Sequence, residues 1–345
     1  MRGEKIKILF FILIPVLLFP ACGPGDRKVD PSFYYWKTRF KLEDGERAYL
    51  DALKAETLYI RFFDVDWNIA KNEPVPIASV VFDTTGIKGK KIIPTIYITN
   101  RAMSSIGFED VPALGDKILH RIDRIAGPVP FHEIQMDCDW TEKSRDNYFR
   151  LLDHLRTKLV ARHIQLSATI RLHQIKYYNL TGVPPVDRGM LMFYNMGDIR
   201  DISEENTILD LETAEKYLEN FDEYPTHLDI ALPVFAWGVV IRNDETIHLI
   251  NNLRAEQLKD ESKFKFLQPS IVKVVKNTYI NGYYLYQDDF IRLEDISIEA
   301  LEESAEMLAE LIESDSVRVC FYHLDTPTLE RYSYEDLNGI CKVFY

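Results

Sequence analysis

The chain has 345 residues and a formal net charge of −13, with 46% hydrophobic and 28% charged residues. That is the profile of a soluble globular protein, long enough for one large domain or two modest ones. The acidic balance argues against nucleic acid, where affinity comes mostly from Lys and Arg on phosphates, and against broad attraction to anionic lipid.

Arg2, Lys5 and Lys7 precede an apolar run over residues 8–20, then Ala21-Cys22 and Gly23-Pro24-Gly25. This reads as a secretory signal whose apolar run is short for a membrane span. A Cys directly after a small residue at the end of such a run resembles the lipobox of bacterial lipoproteins. The resemblance implies removal of a signal peptide, residues 1–21, and lipidation of Cys22. It places the mature protein in the bacterial cell envelope, held to the membrane by its N-terminal lipid. An uncleaved anchor is the alternative. Loss of Arg2, Lys5, Lys7 and Glu4 would take the net charge from −13 to −15. Besides Cys22 the chain has Cys138, Cys320 and Cys341, with no CxxC. An odd trio makes no disulfide framework, so buried free thiols are expected, with a Cys320–Cys341 bridge as the alternative.

Residues 22–40 read as a tether ending in the aromatic patch Phe33-Tyr34-Tyr35-Trp36, and 41–345 as one domain. Strand patterns fall near 57–66, 78–83, 91–99, 132–139, 163–170, 189–195, 227–235 and 316–323. Helical patterns fall near 43–55, 110–126, 142–160, 209–221, 245–258 and 297–313. In 142–160, Tyr148, Leu151, Leu152, Leu155 and Leu159 share one face. Asp139 and Glu142 stand in N-cap and N3 relation ahead of it. Eight strands with mostly helical connections predict a parallel α/β protein of the (β/α)8, TIM-type barrel class. A doubly wound sheet is the alternative, although no Gly-rich phosphate loop follows any strand. Residues 259–292 are rich in β-branched and aromatic residues around Asn281-Gly282, predicting a β-rich insertion before the last strand.

Working residues of a barrel sit at the C-terminal ends of its strands. In the fourth expected strand, alternation puts Gln135, Asp137 and Asp139 on one face and Ile134, Met136 and Cys138 on the other. Two carboxylates on one buried face push one pKa up, which suits acid–base work. Capping of the next helix is the competing role for Asp139.

These features resemble family 18 glycoside hydrolases, the chitinases and endo-β-N-acetylglucosaminidases. Their fourth strand reads D-G-x-D-x-D-x-E and their sixth M-x-Y-D or M-x-Y-N. Asp137, Asp139 and Trp140 match the first motif; Met192, Tyr194 and Asn195 match the second. Residues 231–238 are similar to the family's G-x-P-x-Y-G stretch. The departures are Ile134 for the first aspartate, Thr141 for the acid Glu, and Glu142 one residue late. A Q-x-D-x-D core followed by Leu166-Ser167-Ala168-Thr169 also resembles an uncharacterised family of bacterial lipoproteins.

The resemblance implies a glycosidase-like lipoprotein acting on a polysaccharide or glycan at the cell envelope. Asp137, Asp139 and Glu142 would be catalytic, with Glu142 or Asp139 as the acid and Asp137 as electrostatic support. Asp64, Asp66, Trp67, Gln135, Tyr194, Asn195, Asp198 and Trp237 are candidate substrate-binding residues. A non-catalytic glycan-binding or scaffold protein on the same barrel is the alternative, since members lacking the Glu resemble lectins. Arg171 shares a strand face with Gln165, Ser167 and Thr169, and is placed to pair with Asp137 or Asp139. Trp140 is a further candidate sugar platform, and His323 closes the last strand. No cofactor, metal or nucleic-acid partner is expected: HExxH, G-x-S-x-G and P-loop motifs are missing.

Overall fold

The computed structural model describes residues 27–345. The expected signal peptide and Cys22 lie outside the described residues. Eight parallel strands close into a barrel: β1 (Lys28–Tyr35), β2 (Thr57–Asn68), β3 (Lys91–Ile98), β4 (Glu133–Asp137), β5 (Gln165–Arg171), β6 (Arg188–Met192), β7 (Leu228–Pro233) and β8 (Ser316–Tyr322). Closure is made by β1, which pairs with β8 (Phe33 opposite Phe321) and with β2 (Tyr34 opposite Tyr59). The expected (β/α)8 class is therefore the observed one.

Two segments differ from expectation. The segment read as a tether contains β1: Val29, Phe33 and Tyr35 are buried in the barrel's apolar shell, and Ser32 and Tyr34 are buried too. The segment 78–83 is only a two-residue strand, Val81–Phe82, pairing with Arg39–Phe40 outside the barrel. Polar Asp30 and Ser32 weaken the apolar signal of β1, and a barrel strand needs no clean alternation because both faces are buried. The β2–β3 connection carries a hairpin, Asp64–Asn68 against Glu73–Ile77, in place of a helix.

The helices follow their apolar stripes. Arg145–Val160 buries Tyr148, Leu151, Leu152, Leu155 and Leu159, as its spacing requires. Its N-cap is Ser144, not Asp139, and Glu142 takes no part in a capping box. Val111–Ala126 opens with Pro112 in its first turn and ends at Gly127, whose φ of 56° suits glycine. Cys138, Cys320 and Cys341 are buried free thiols, so the Cys320–Cys341 bridge is not formed. At Gly189 in β6 a Cβ would lie 2.7 Å from Leu228 Cδ2 and 3.0 Å from Ile170 Cγ1, which explains the glycine between two packed strands.

The insertion before β8 is larger than expected, running from Trp237 to Glu294. Its five-stranded antiparallel sheet includes Glu245–Asn251, which the sequence pattern had suggested as part of a helix. The β-branched Thr246 and Ile247 and the turn Asn243-Asp244, both at positive φ, favour a hairpin there. Val240, Ile250, Val272, Val274 and Ile291 form a second, separate core.

Candidate functional site

The β4 alternation carries Gln135 and Asp137 into the barrel. Gln135 is fully buried, and its Oε1 accepts from Tyr34 Oη at 2.6 Å. Asp137, one layer higher, accepts from Thr169 Oγ1 at 2.7 Å and lies 3.9 Å from Arg171 Nη2. Burial pushes its carboxyl from 3.8 up to about 6; Arg171 opposes the rise and Asp139 adds to it. Asp139, just past the strand, is clamped by Arg171 Nε, and its carbonyl accepts from Asn100 Nδ2. Arg171 thus bridges both carboxylates from the end of β5.

Beside this triad is a cavity of about 330 Å³ lined by Asp139, Arg171, His173, Tyr194, Asn195 and Tyr217, among others. Asn195 holds φ at 58°, the left-handed conformation that Asn tolerates best after Gly. The loop it opens folds back on itself: Asn195 N donates to Ile208 O and Met196 N to Thr207 O. Glu294 of the insertion accepts from Thr207 N, Thr207 Oγ1 and Trp237 Nε1 at 2.8, 2.6 and 2.9 Å. The insertion therefore braces the wall of the mouth.

A continuous arc of aromatic rings crosses the strand ends. Trp36 meets Tyr322 at 5.7 Å between centroids, Tyr322 meets Tyr194 at 5.3 Å, Tyr194 meets Phe235 at 5.7 Å, and Phe235 meets Trp237 at 5.1 Å. Trp36, Tyr322, Phe235 and Trp237 are each half-buried. The Arg61 guanidinium stacks over Trp36 at 5.5 Å.

Of the candidates, Asp137, Asp139, Tyr194 and Asn195 come together. The others do not join them as expected. Glu142 is exposed and lines a separate cavity of about 400 Å³ with Arg145, Tyr177, Leu180 and Thr181. Thr141, at the family's acid position, is also exposed; its N–H bonds Ser144 Oγ in the turn before the helix. Asp198 pairs with Arg200 on the surface. Asp64 is tied to Arg61, and Asp66 to Arg101, which, with Thr99, lowers its carboxyl to about 2. The Asp66 pair lies on the rim, whereas Asp64 is buried beneath the Arg61 that stacks over Trp36. Gln135 sits too deep to reach the mouth. Trp67 packs half-buried on the hairpin that extends β2, and Trp140 is core, stacked on Tyr148 with Nε1 donating to Thr181 O. Trp237 joins the aromatic arc.

Arg61, Trp36, Tyr34, Tyr322 and Phe235 were missed as site residues. Trp36 and Tyr34 were visible as an aromatic patch, and β1 alternation would have aimed both inward. Arg61 and Asp64 fall on opposite faces of a regular strand; a bulge between Arg61 and Phe63 brings them together. Among the described residues no cluster of His, Cys, Asp and Glu is arranged to hold a metal ion.

No protein-family model and no curated protein matches the chain. Solved structures do. The spore cortex-lytic enzyme SleL of Bacillus megaterium QM B1551 superposes with a TM-score of 0.58 at 14% identity, covering 91% of this chain and 75% of that one. The GH18 chitinase ChiB of Flavobacterium johnsoniae gives 0.56 at 13% identity, covering 92% and 94%. A mutant of a catalytic domain of Ostrinia furnacalis Group II chitinase, complexed with an N-acetylchitooligosaccharide, gives 0.52 at 11% identity, covering 86% and 90%. At these identities the likeness is one of fold: the chain has a GH18-like TIM barrel.

Proposed function

We propose that the C-terminal mouth of the barrel binds a glycan in a glycosidase-like site that lacks the β4 acid. The observation that carries this reading is the half-buried aromatic arc beside a cavity holding Asp139, Arg171, Tyr194 and Asn195. Half-buried rings stack on sugar faces while fixed polar groups select hydroxyls and amides. The chitinase neighbours support an N-acetylated glucan as the class of ligand. Binding without cleavage is favoured because Asp139, clamped by Arg171, is an acceptor. The side chain at the acid position is Thr141, and Glu142 lines another cavity. A hydrolytic second reading rests on Asp137, whose carboxyl at about 6 is placed in the range of a general acid.

Calorimetric titration of the soluble chain from residue 26 with chito-oligosaccharides tests both readings. Binding is expected to weaken at least tenfold in Asp139→Asn and Tyr194→Ala and to be unchanged in Glu142→Gln. Reducing-end release is expected from none of them. Turnover by the parent that disappears in Asp137→Asn would establish the hydrolytic reading. Absence of binding to any glycan would sink both.

The lipoprotein reading belongs to the same proposal and rests on residues 2–22. Cys22→Ser is expected to abolish incorporation of labelled palmitate in cells and to move the protein from the membrane to the soluble fraction. Labelling that persists would refute it.

A further inference from the structure

We propose that a second cavity, at the opposite end of the barrel, binds a single acidic sugar: one pyranose carrying a carboxylate or a phosphate. The N-terminal face of a barrel is ordinarily a place of stability, not of ligand binding. Here the first residues of seven of the eight strands line a cavity of about 410 Å³, larger than the 330 Å³ cavity at the mouth. That size falls in the range of small-molecule sites.

Glu133 sets the first requirement. It opens β4, lines this cavity and is only 3% exposed. Its Oε2 accepts from Arg318 Nη1 at 2.5 Å, but Oε1 has no hydrogen-bond partner among the described residues. An unmet buried acceptor costs free energy, so it calls for a donor. Arg318 stands between Glu133 and Asp30, with Nη1 on Glu133 and Nε 3.7 Å from Asp30 Oδ2. The missing donor is therefore a neutral hydroxyl, because an ammonium would face the guanidinium.

Lys28 sets the second. Of the three lysines lining the cavity, Lys90 is held by Asp51 at 2.7 Å and Lys91 by Glu56 at 3.1 Å. Arg188 is taken by Asp229. Among the described residues Lys28, exposed at the edge, is the lining cation without an ion pair and is offered to an acid group, while the lining carboxylate Asp30 is held by Thr57 and Arg318. Phe131 and Pro130 offer an apolar wall for a ring face. A hydroxyl acceptor inside, a cation at the rim and an apolar wall are the chemistry of a sugar acid or sugar phosphate.

Titration of the folded protein with glucuronate, glucose 1-phosphate and glucose, read by calorimetry, tests this. Both acidic sugars are expected to bind with submillimolar Kd and glucose at least tenfold more weakly. Lys28→Ala is expected to erase that preference while leaving glucose unchanged. Gln165→Trp, at an exposed edge position, is expected to block all three without touching the buried ion pair. Saturating chito-oligosaccharide is expected to leave these affinities unchanged. Failure of every sugar to bind, or binding indifferent to both variants, would overturn the proposal. Competition with chito-oligosaccharide would move the acidic sugars to the mouth, overturning this site while leaving the glycan-binding reading intact.

Discussion

Replacing Glu294 with alanine is expected to cost about 3–5 kcal/mol of stability, the scale for breaking a buried ion pair from one side. Glu294 is 1% exposed and Arg292, its partner at 2.7 Å through Nε, is equally buried. Alanine would leave that guanidinium without a counter-charge and would strand three donors, Thr207 N, Thr207 Oγ1 and Trp237 Nε1. The effect is expected to reach function. Thr207 O receives the N–H groups of Met196 and Gly197, so releasing Thr207 loosens the loop that presents Asn195 to the mouth. Denaturant midpoints should show the stability loss, and oligosaccharide titration should show binding weakened about tenfold. Full affinity in a destabilised Glu294→Ala would mean that the loop is held by its own backbone bonds.

Asp137→Asn is expected to remove a pH dependence rather than a fold. The buried carboxyl titrates near 6 in the folded protein against 3.8 for the ordinary group. Between those values the folded state holds a proton that the unfolded chain has released. Stability therefore falls as pH rises through this window, by on the order of 2–3 kcal/mol, and the penalty is fully present above pH 6. Below about pH 3 both states are protonated and the penalty is gone. Asparagine carries no such proton and still offers an oxygen to Thr169. Urea midpoints from pH 4 to 7 should fall with rising pH more steeply in the parent than in the variant. Parallel curves would assign the titration to another group.

The barrel was legible because parallel strands leave apolar runs at regular spacing and helices leave stripes such as Tyr148–Leu159. Its first strand was not, since Asp30 and Ser32 interrupt the apolar pattern and the segment follows an apolar N-terminal run that suggests a linker. Gln135 and Asp137 lie on the one inward face of β4 that alternation gives them, because alternation has a strict period of two. Their partners are not set by alternation: whether Arg171 meets Asp137 or Asp139 depends on how far β5 extends beyond β4. Glu142 looked like a late acid because it stands one residue after the motif position that Thr141 occupies. It is the first of three turn residues, closed by Ser144, which carry it outside the mouth. The Arg61–Asp64 pair was hidden by a bulge, which no pattern of apolar residues announces.

With a lipid on Cys22, the direction of β1 would decide which end of the barrel faces the membrane. Lys28 stands at the basal end, six positions after the Cys22 proposed to carry lipid. A fully extended linker of that length reaches at most about 20 Å. The eight residues of β1 add roughly 20–25 Å of barrel height once strand tilt is allowed for. An anchor at Cys22 would therefore keep the acidic-sugar cavity on the lipid side and aim the aromatic arc outward, in a shell a few tens of ångströms above the bilayer. Polymer chains passing through that shell would be met end-on or in mid-run by the mouth, while molecules lying at the headgroup plane would meet only the base.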